Sequence, residues 1–136
     1  MSSDRSASRG VDRLAARPGT GRRAEDLAAA LLERAGLRIV ARNWRRPEGE
    51  LDIVADDGGT CVFVEVRSRT GTALGHPLES ITVEKQRRVI RSARLYLAES
   101  PGPATGYRFD VVAVTFDPEG RAEPELVHVP NAFEVA

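Results

Sequence analysis

Apolar and polar positions alternate with two different periods along this chain, and the changes of period mark its elements. From Gly21 onward Ala24, Leu27, Ala28, Leu31, Leu32 and Ala35 recur at helical spacing, and Gly36 follows as a C-terminal stop, which predicts a first helix. Leu37 to Trp44 switches to a period of two and predicts a strand that runs into a basic loop, Arg45 to Gly49. Leu51 to Ala55 and Cys61 to Val66 are apolar runs of strand length around Asp56-Asp57-Gly58-Gly59-Thr60, the signature of a tight hairpin. Gly71 to Pro77 reads as a loop. Ser80 or Thr82 can cap a second helix that carries Val89, Ile90, Ala93 and Leu97 as its apolar stripe and runs to about Glu99, before Pro101-Gly102-Pro103. Tyr107 to Phe116 is a further strand, and Glu125 to Val129 a weaker last one. The expected order is αβββαββ, a mixed central sheet flanked by helices in the α/β or α+β range.

Residues 1 to 20, rich in Ser, Arg, Gly and Asp, are expected to stay disordered, leaving one domain over residues 21 to 130 and a tail over 131 to 136. A length of 136 residues with 41% hydrophobic side chains suits a single core. The lone Cys61 excludes an internal disulfide framework and falls short of every zinc pattern. With no signal-peptide pattern and no apolar run long enough for a bilayer, the expected location is cytoplasmic, away from the membrane. Charge is balanced overall but lopsided in sequence. Residues 85 to 94 carry five bases and no acid, whereas Asp117, Glu119, Glu123, Glu125 and Glu134 face only Arg121 near the C-terminus. Such a molecule has a basic side that can meet phosphates, although each run by itself is equally an ordinary solvated surface.

The candidate chemistry lies in the hairpin. If Gly58-Gly59 forms a two-residue turn, Asp57 pairs with Thr60, and counting back along both strands sets Asp52 opposite Glu65 and Glu50 opposite Arg67. Opposed residues have Cβ atoms about 4.5–5.5 Å apart. Two carboxylates there repel unless something compensates, and Glu65 lies in a run apolar enough for a central strand. A hard divalent cation, Mg²⁺ or Mn²⁺, would compensate both and suits phosphodiester hydrolysis. The alternative is that the two acids flank the sheet and pair with Arg67, Arg69 or a helix arginine. The Glu50 and Arg67 pairing reads as an ordinary cross-strand ion pair.

Glu25, in the first turn of helix one, either reaches the sheet or simply favours the helix dipole. Helix two presents Arg87, Arg91 and Arg94 along one side with Arg88 beside them; together with Arg45, Arg46 and Arg69 these are the candidate nucleic-acid contacts. Trp44 could stack on a base but reads better as core. His76 and His128 lack partners at metal-ligand spacing and receive no role, and Cys61 is read as a small apolar filler.

These residues resemble the YraN family of bacterial proteins. The likeness runs from Gly21 to about Thr115 through Ala24-Glu25-Asp26-Leu27-Ala28, Ala41-Arg42-Asn43-Trp44-Arg45, Gly49-Glu50-Leu51-Asp52-Ile53-Val54, Phe63-Val64-Glu65-Val66-Arg67-Ser68-Arg69, Val83-Glu84-Lys85-Gln86-Arg87-Arg88 and Arg108-Phe109-Asp110-Val111-Val112. It implies a restriction-endonuclease-like fold of the PD-(D/E)XK type, similar in motif order to archaeal-type Holliday-junction resolvases. Asp52 then corresponds to the motif aspartate, Glu65 to the acid of the E-x-K motif and Glu25 to the helix-one glutamate; Asp52, Glu65 and the Val66 carbonyl would bind the metal, and Gln86 would support the site. One position departs from the pattern, since the E-x-K lysine is Arg67, which stays protonated and can only stabilise charge. Lys85, the only lysine of the chain, opens helix two and is the candidate substitute. The implied activity is Mg²⁺- or Mn²⁺-dependent hydrolysis of nucleic acid, DNA before RNA and of branched or damaged form. A resolvase-like reaction would need a symmetric homodimer. The competing expectation is a nucleic-acid-binding module with a degenerate nuclease site, and a weaker third is a protein-interaction role.

Overall fold

The computed structural model describes residues 20–71 and 81–135. The expectations for the N-terminal segment, most of the Gly71 to Pro77 loop, His76 and a Ser80 cap fall outside the described residues. The elements are α1 (Thr20–Arg34), β1 (Arg38–Arg46), β2 (Gly49–Asp57), β3 (Thr60–Thr70), α2 (Val83–Glu99), β4 (Gly106–Phe116) and β5 (Glu125–Phe133). Among the described residues no helix is long and apolar enough to cross a membrane.

Each element has a local cause. Helix α1 buries Ala24, Ala28 and Leu32 at four-residue intervals. Gly36, at φ +97°, ends it in a Schellman motif: the N–H of Gly36 donates to Glu33 O and that of Leu37 to Leu32 O, both at 3.0 Å. The β2–β3 turn is the expected two-residue Gly58-Gly59 connection, with φ of +59° and +103° and Asp57 paired with Thr60. Thr82 caps α2 by accepting the Lys85 N–H at 3.1 Å.

The sheet order is β1-β2-β3-β4-β5, antiparallel except for the parallel β3–β4 pair that α2 connects. This is an α+β fold in the order αβββαββ. Its faces carry separate cores. Ile53, Val62, Val64, Val66, Val112 and Val114 pack against α1, while Leu51, Val54, Phe63, Phe109, Val111 and Phe133 belong to the α2 side. Strand β3 is therefore apolar on both faces, which explains its unbroken run from Val62 to Val66.

Three elements differ from expectation. There is no basic loop after Trp44: Arg45 and Arg46 belong to β1, and Arg46 pairs directly with Gly49 across a two-residue turn. Strand β5 continues past Val129 to Phe133, because Phe133 stacks on Phe109 at 5.1 Å and closes the core. Glu50 forms an ion pair with Arg45, at 3.1 Å, its neighbour in the β1–β2 ladder, and the β2–β3 ladder ends before the row that would set it opposite Arg67. Trp44 is a packing residue, edge-on to Tyr96 at 5.6 Å. Burial pushes the Cys61 thiol upward, consistent with an inert filler.

Gly49 is fixed by space. A Cβ there would overlap the buried Ser92 Oγ and sit 3.1 Å from Ser92 Cβ, so β2 and α2 touch through a missing side chain. Gly49→Ala is expected to cost about 1–3 kcal/mol by overpacking, measured by urea unfolding. The cost should shrink in a Ser92→Ala background, where the nearest atom is gone; an equal cost in both backgrounds would exclude this contact as its source.

Candidate functional site

Strands β2 and β3 share a ladder only from Asp57↔Thr60 to Ile53↔Val64. Beyond that point β2 stays with β1 through Leu51, Glu50 and Gly49, and β3 stays with β4 through Arg67, Ser68, Arg69 and Thr70. The two central strands thus part at the row where the hairpin count opposes Asp52 and Glu65. The alternation of β2 breaks at the same row, since Leu51 and Ile53, two residues apart, pack on opposite faces. Asp52 sits in this break. Its Oδ2 accepts the buried N–H of Val66 at 2.9 Å, so a side chain takes a β3 donor at the point where the backbone ladder has ended.

Glu65 is 8% exposed and follows Val64, which faces α1, so it faces α2. Two cations meet it there. Lys85 Nζ, in the first turn of α2, lies 3.7 Å from Glu65 Oε2, and Arg67 Nη1 lies 3.8 Å from the same atom. The burial cost of the carboxylate is thus offset by charge from two elements. Gln86, one residue on, turns away and donates to the Ile81 carbonyl at 3.2 Å, bracing the start of α2.

Glu25 is 1% exposed, more buried than a surface residue favouring the helix dipole would be. Its Oε1 accepts Asn43 Nδ2 at 2.6 Å and lies 3.4 Å from the Arg42 guanidinium, which also reaches Asp26 at 2.5 Å. Asn43 itself adopts φ +54°, a left-handed conformation that asparagine tolerates better than most residues. In the β1–β2 register, between Arg42↔Ile53 and Trp44↔Leu51, Asn43 lies across from Asp52. Asn43 thus ties Glu25, through its side chain, to the part of β1 that lies across from Asp52. In the sequence Asn43 carries no assigned role, and its one signal is a lone Asn within an alternating strand.

Asp52 and Glu65 carry hard oxygen donors of the kind that Mg²⁺ or Mn²⁺ takes, and such ions commonly use one or two protein carboxylates and complete their shell with water and substrate phosphate. Among the described residues no three His, Cys, Asp or Glu side chains gather closely enough to hold a metal ion, so Glu25, Asp52 and Glu65 do not form a three-carboxylate group.

The arginines separate into two groups. Arg45 pairs with Glu50, Arg46 pairs with Glu99 at 2.8 Å and lies over the Trp44 ring, and Arg69 donates to Thr115 Oγ1 at 3.1 Å. Arg87, Arg88 and Arg91 are exposed on α2.

A second polar cluster centres on Asp110 of β4. Asp110 is fully buried in β4, where it accepts Arg108 Nε at 2.9 Å, the Asn131 N–H at 2.9 Å and His128 Nε2 at 2.9 Å. Arg108 extends to Asp57 at 2.8 Å. The β4–β5 register slips between Phe109 and Val111, and Asn131, at φ +51°, stands in that irregularity. Asp110 therefore supplies the acceptor that the bulged β5 backbone lacks, and His128 has a structural partner. Burial alone would raise the Asp110 carboxyl, but hydrogen bonds from His128, Arg108 and the Asn131 backbone outweigh it and hold the group below the usual aspartate range.

The fold is an α+β protein with two buried acids, Asp52 and Glu65, on central strands that part beside them, and with Arg67 of β3 and Lys85 of α2 within 4 Å of Glu65. The family model described as "Uncharacterised protein family UPF0102" matches residues 24–114, a span that contains Glu25, Asp52, Glu65, Lys85 and Asp110. The chain belongs to the UPF0102 (YraN) family. It is 47% identical over 113 residues to the UPF0102 protein of Nocardia farcinica, covering 83% of this chain and 87% of that one. It is 47% identical over 113 residues to UPF0102 protein STH1475 of Symbiobacterium thermophilum, covering 83% and 94%, and 48% identical over 118 residues to the UPF0102 protein of Anaeromyxobacter dehalogenans, covering 87% and 86%.

Proposed function

We propose that this protein is a divalent-cation-dependent phosphodiester hydrolase of nucleic acid, with the restriction-endonuclease-like arrangement that the resemblance implies. The observation that supports the reading is the fork: the buried acids Asp52 and Glu65 lie on β2 and β3 just past the point where the two strands part, and Lys85 and Arg67 both stand within 4 Å of Glu65. Asp52 and Glu65 would hold Mg²⁺ or Mn²⁺. When bound, such a cation polarises a phosphate oxygen and makes water a better nucleophile. Arg67 and Lys85 would attract the phosphate and stabilise the negative charge that builds on it as a P–O ester bond is exchanged for P–OH. Arg67 does this as a fixed positive charge, because arginine does not give up its proton in proteins. The Val66 N–H anchors Asp52 and so fixes its second oxygen in space.

The test is nicking of linear and branched DNA by the purified chain with Mg²⁺ or Mn²⁺, with EDTA, and by Asp52→Asn. Cleavage should need the cation and vanish in the variant. Cleavage that survives Asp52→Asn would exclude this site.

Arg67 supports a second reading, a module that binds nucleic acid without cutting it, because the two cations already balance Glu65. In that case binding persists and cleavage stays absent in Mn²⁺ even after Arg67→Lys.

A further inference from the structure

The exposed arginines of α2 differ from most others in the molecule. Arg38, Arg42, Arg45, Arg46, Arg108 and Arg121 each lie within ion-pair distance of a carboxylate. Arg87, Arg88, Arg91 and Arg94 are exposed, and among the described residues none of them has a carboxylate within ion-pair reach. Among the described residues, four guanidinium groups of one helix thus stand without a carboxylate partner in a chain with equal numbers of acids and bases. At about 100° per residue, Arg87, Arg91 and Arg94 fall within an arc of roughly 60°, with Arg88 at its flank. Glu84 is the acid in the first turn of the helix, and it is exposed.

We infer that this outer ridge of α2 is a docking surface for double-stranded nucleic acid, which it grips by the phosphate backbone. The inference rests on the hydrolase reading for its partner class, but it concerns a surface that the fork does not use. Three arguments fix the occupant. First, charge: the ridge is positive, whereas the acidic run Asp117, Glu119, Glu123 and Glu125 lies by the turn between β4 and β5, at the opposite edge of the sheet from β2, on which α2 packs. Second, length: Arg87 to Arg94 covers about 10 Å of helix axis, the axial rise of about three phosphates on one strand of a duplex. Third, the ridge carries no aromatic side chain. Trp44 and Tyr96 are turned to each other beneath the helix, so the stacking platform that single strands favour is missing here. Direction agrees with the fork as well, since Lys85 at the start of α2 meets Glu65 and the ridge leads away from that contact.

The test is fluorescence anisotropy of a labelled DNA duplex and of one of its strands, in EDTA, at salt concentrations from 50 to 200 mM. The full chain is compared with Arg87→Ala/Arg91→Ala/Arg94→Ala, with Arg91→Glu, and with Arg34→Ala on the other helix as control. Four phosphate contacts predict a log–log slope near −3.6, about 0.9 per contact, which is roughly a 150-fold loss of affinity over this range. The triple variant should be shallower by about 2.7 while its thermal melt is unchanged; Arg91→Glu should weaken binding at every salt concentration, and Arg34→Ala should match the parent. Equal slopes for parent and triple variant, preference for the single strand, or no duplex binding by the parent would each overturn the inference. Cation-dependent nicking that continues in that event leaves the hydrolase reading standing. Salt-dependent binding without nicking leaves the ridge standing and removes the hydrolase.

Discussion

Asp110→Ala is expected to lower the stability of the fold by about 3 kcal/mol, near the lower end of the range for breaking a buried charged network, which corresponds to roughly 10 °C in Tm for a chain of this size. The site sets the magnitude. Three donors converge on this fully buried carboxylate, and one of them, the Asn131 N–H, belongs to backbone that the β4–β5 ladder has left at its irregularity. Alanine strands that N–H and the His128 ring together. Arg108 limits the loss, because it keeps its 2.8 Å contact with Asp57 and part of its solvation. Calorimetry of the variant checks the figure, and a change under 1 kcal/mol would mean that the bulge is held by packing alone.

The same group sets an acid limb. Its folded-state carboxyl lies below the usual value, so its stabilising contribution is complete above the unfolded-state aspartate pKa of about 3.9 and is lost as pH falls through the lower folded value. Stability of the parent should therefore fall below about pH 4 more steeply than that of Asp110→Asn, which has no proton to take up there. Parallel curves would assign the acid sensitivity to other carboxylates.

Much of the fold follows from local rules that are visible in the chain. The helix over Thr20–Arg34 ends where Gly36 supplies a left-handed residue, and Gly58-Gly59 pins the β2–β3 register from Asp57↔Thr60 to Ile53↔Val64. What the chain does not display is anything that depends on two strands losing or shifting their register. Asp52 looks like one more alternating residue until β2 leaves β3, and only then does its side chain take the Val66 N–H. Likewise Asp110 is a single acid inside the apolar run Phe109 to Val114, and its partner Asn131 lies in a bulge that no alternation announces. Arginine pairing was hidden for a related reason. Arg45 and Arg46 look like a free basic loop in sequence, yet strand pairing brings Glu50 to one, and packing of α2 brings Glu99 to the other.

Asp52→Asn and Asp52→Ala are expected to separate chemistry from folding at the fork. Asparagine keeps a carbonyl oxygen in place of Oδ2, so the Val66 N–H retains its acceptor and the unfolding free energy should stay within about 1 kcal/mol of the parent, the net worth of one hydrogen bond. Alanine removes the acceptor from a buried donor and should cost about 1–3 kcal/mol. Both substitutions remove the negative charge of Asp52 at the fork. Cleavage should therefore fall by at least about 10²–10³-fold in each, the scale of deleting one preorganised electrostatic group from a transition state. Mn²⁺ affinity, read by titration calorimetry without nucleic acid, should fall with it. The two readouts move apart only if Asp52 has both duties. Loss of cleavage in Asp52→Asn with parental stability and weakened Mn²⁺ binding would fit a ligand held in place by β3. Parental cleavage in the asparagine variant would leave Asp52 as nothing more than the residue that closes the β2–β3 ladder.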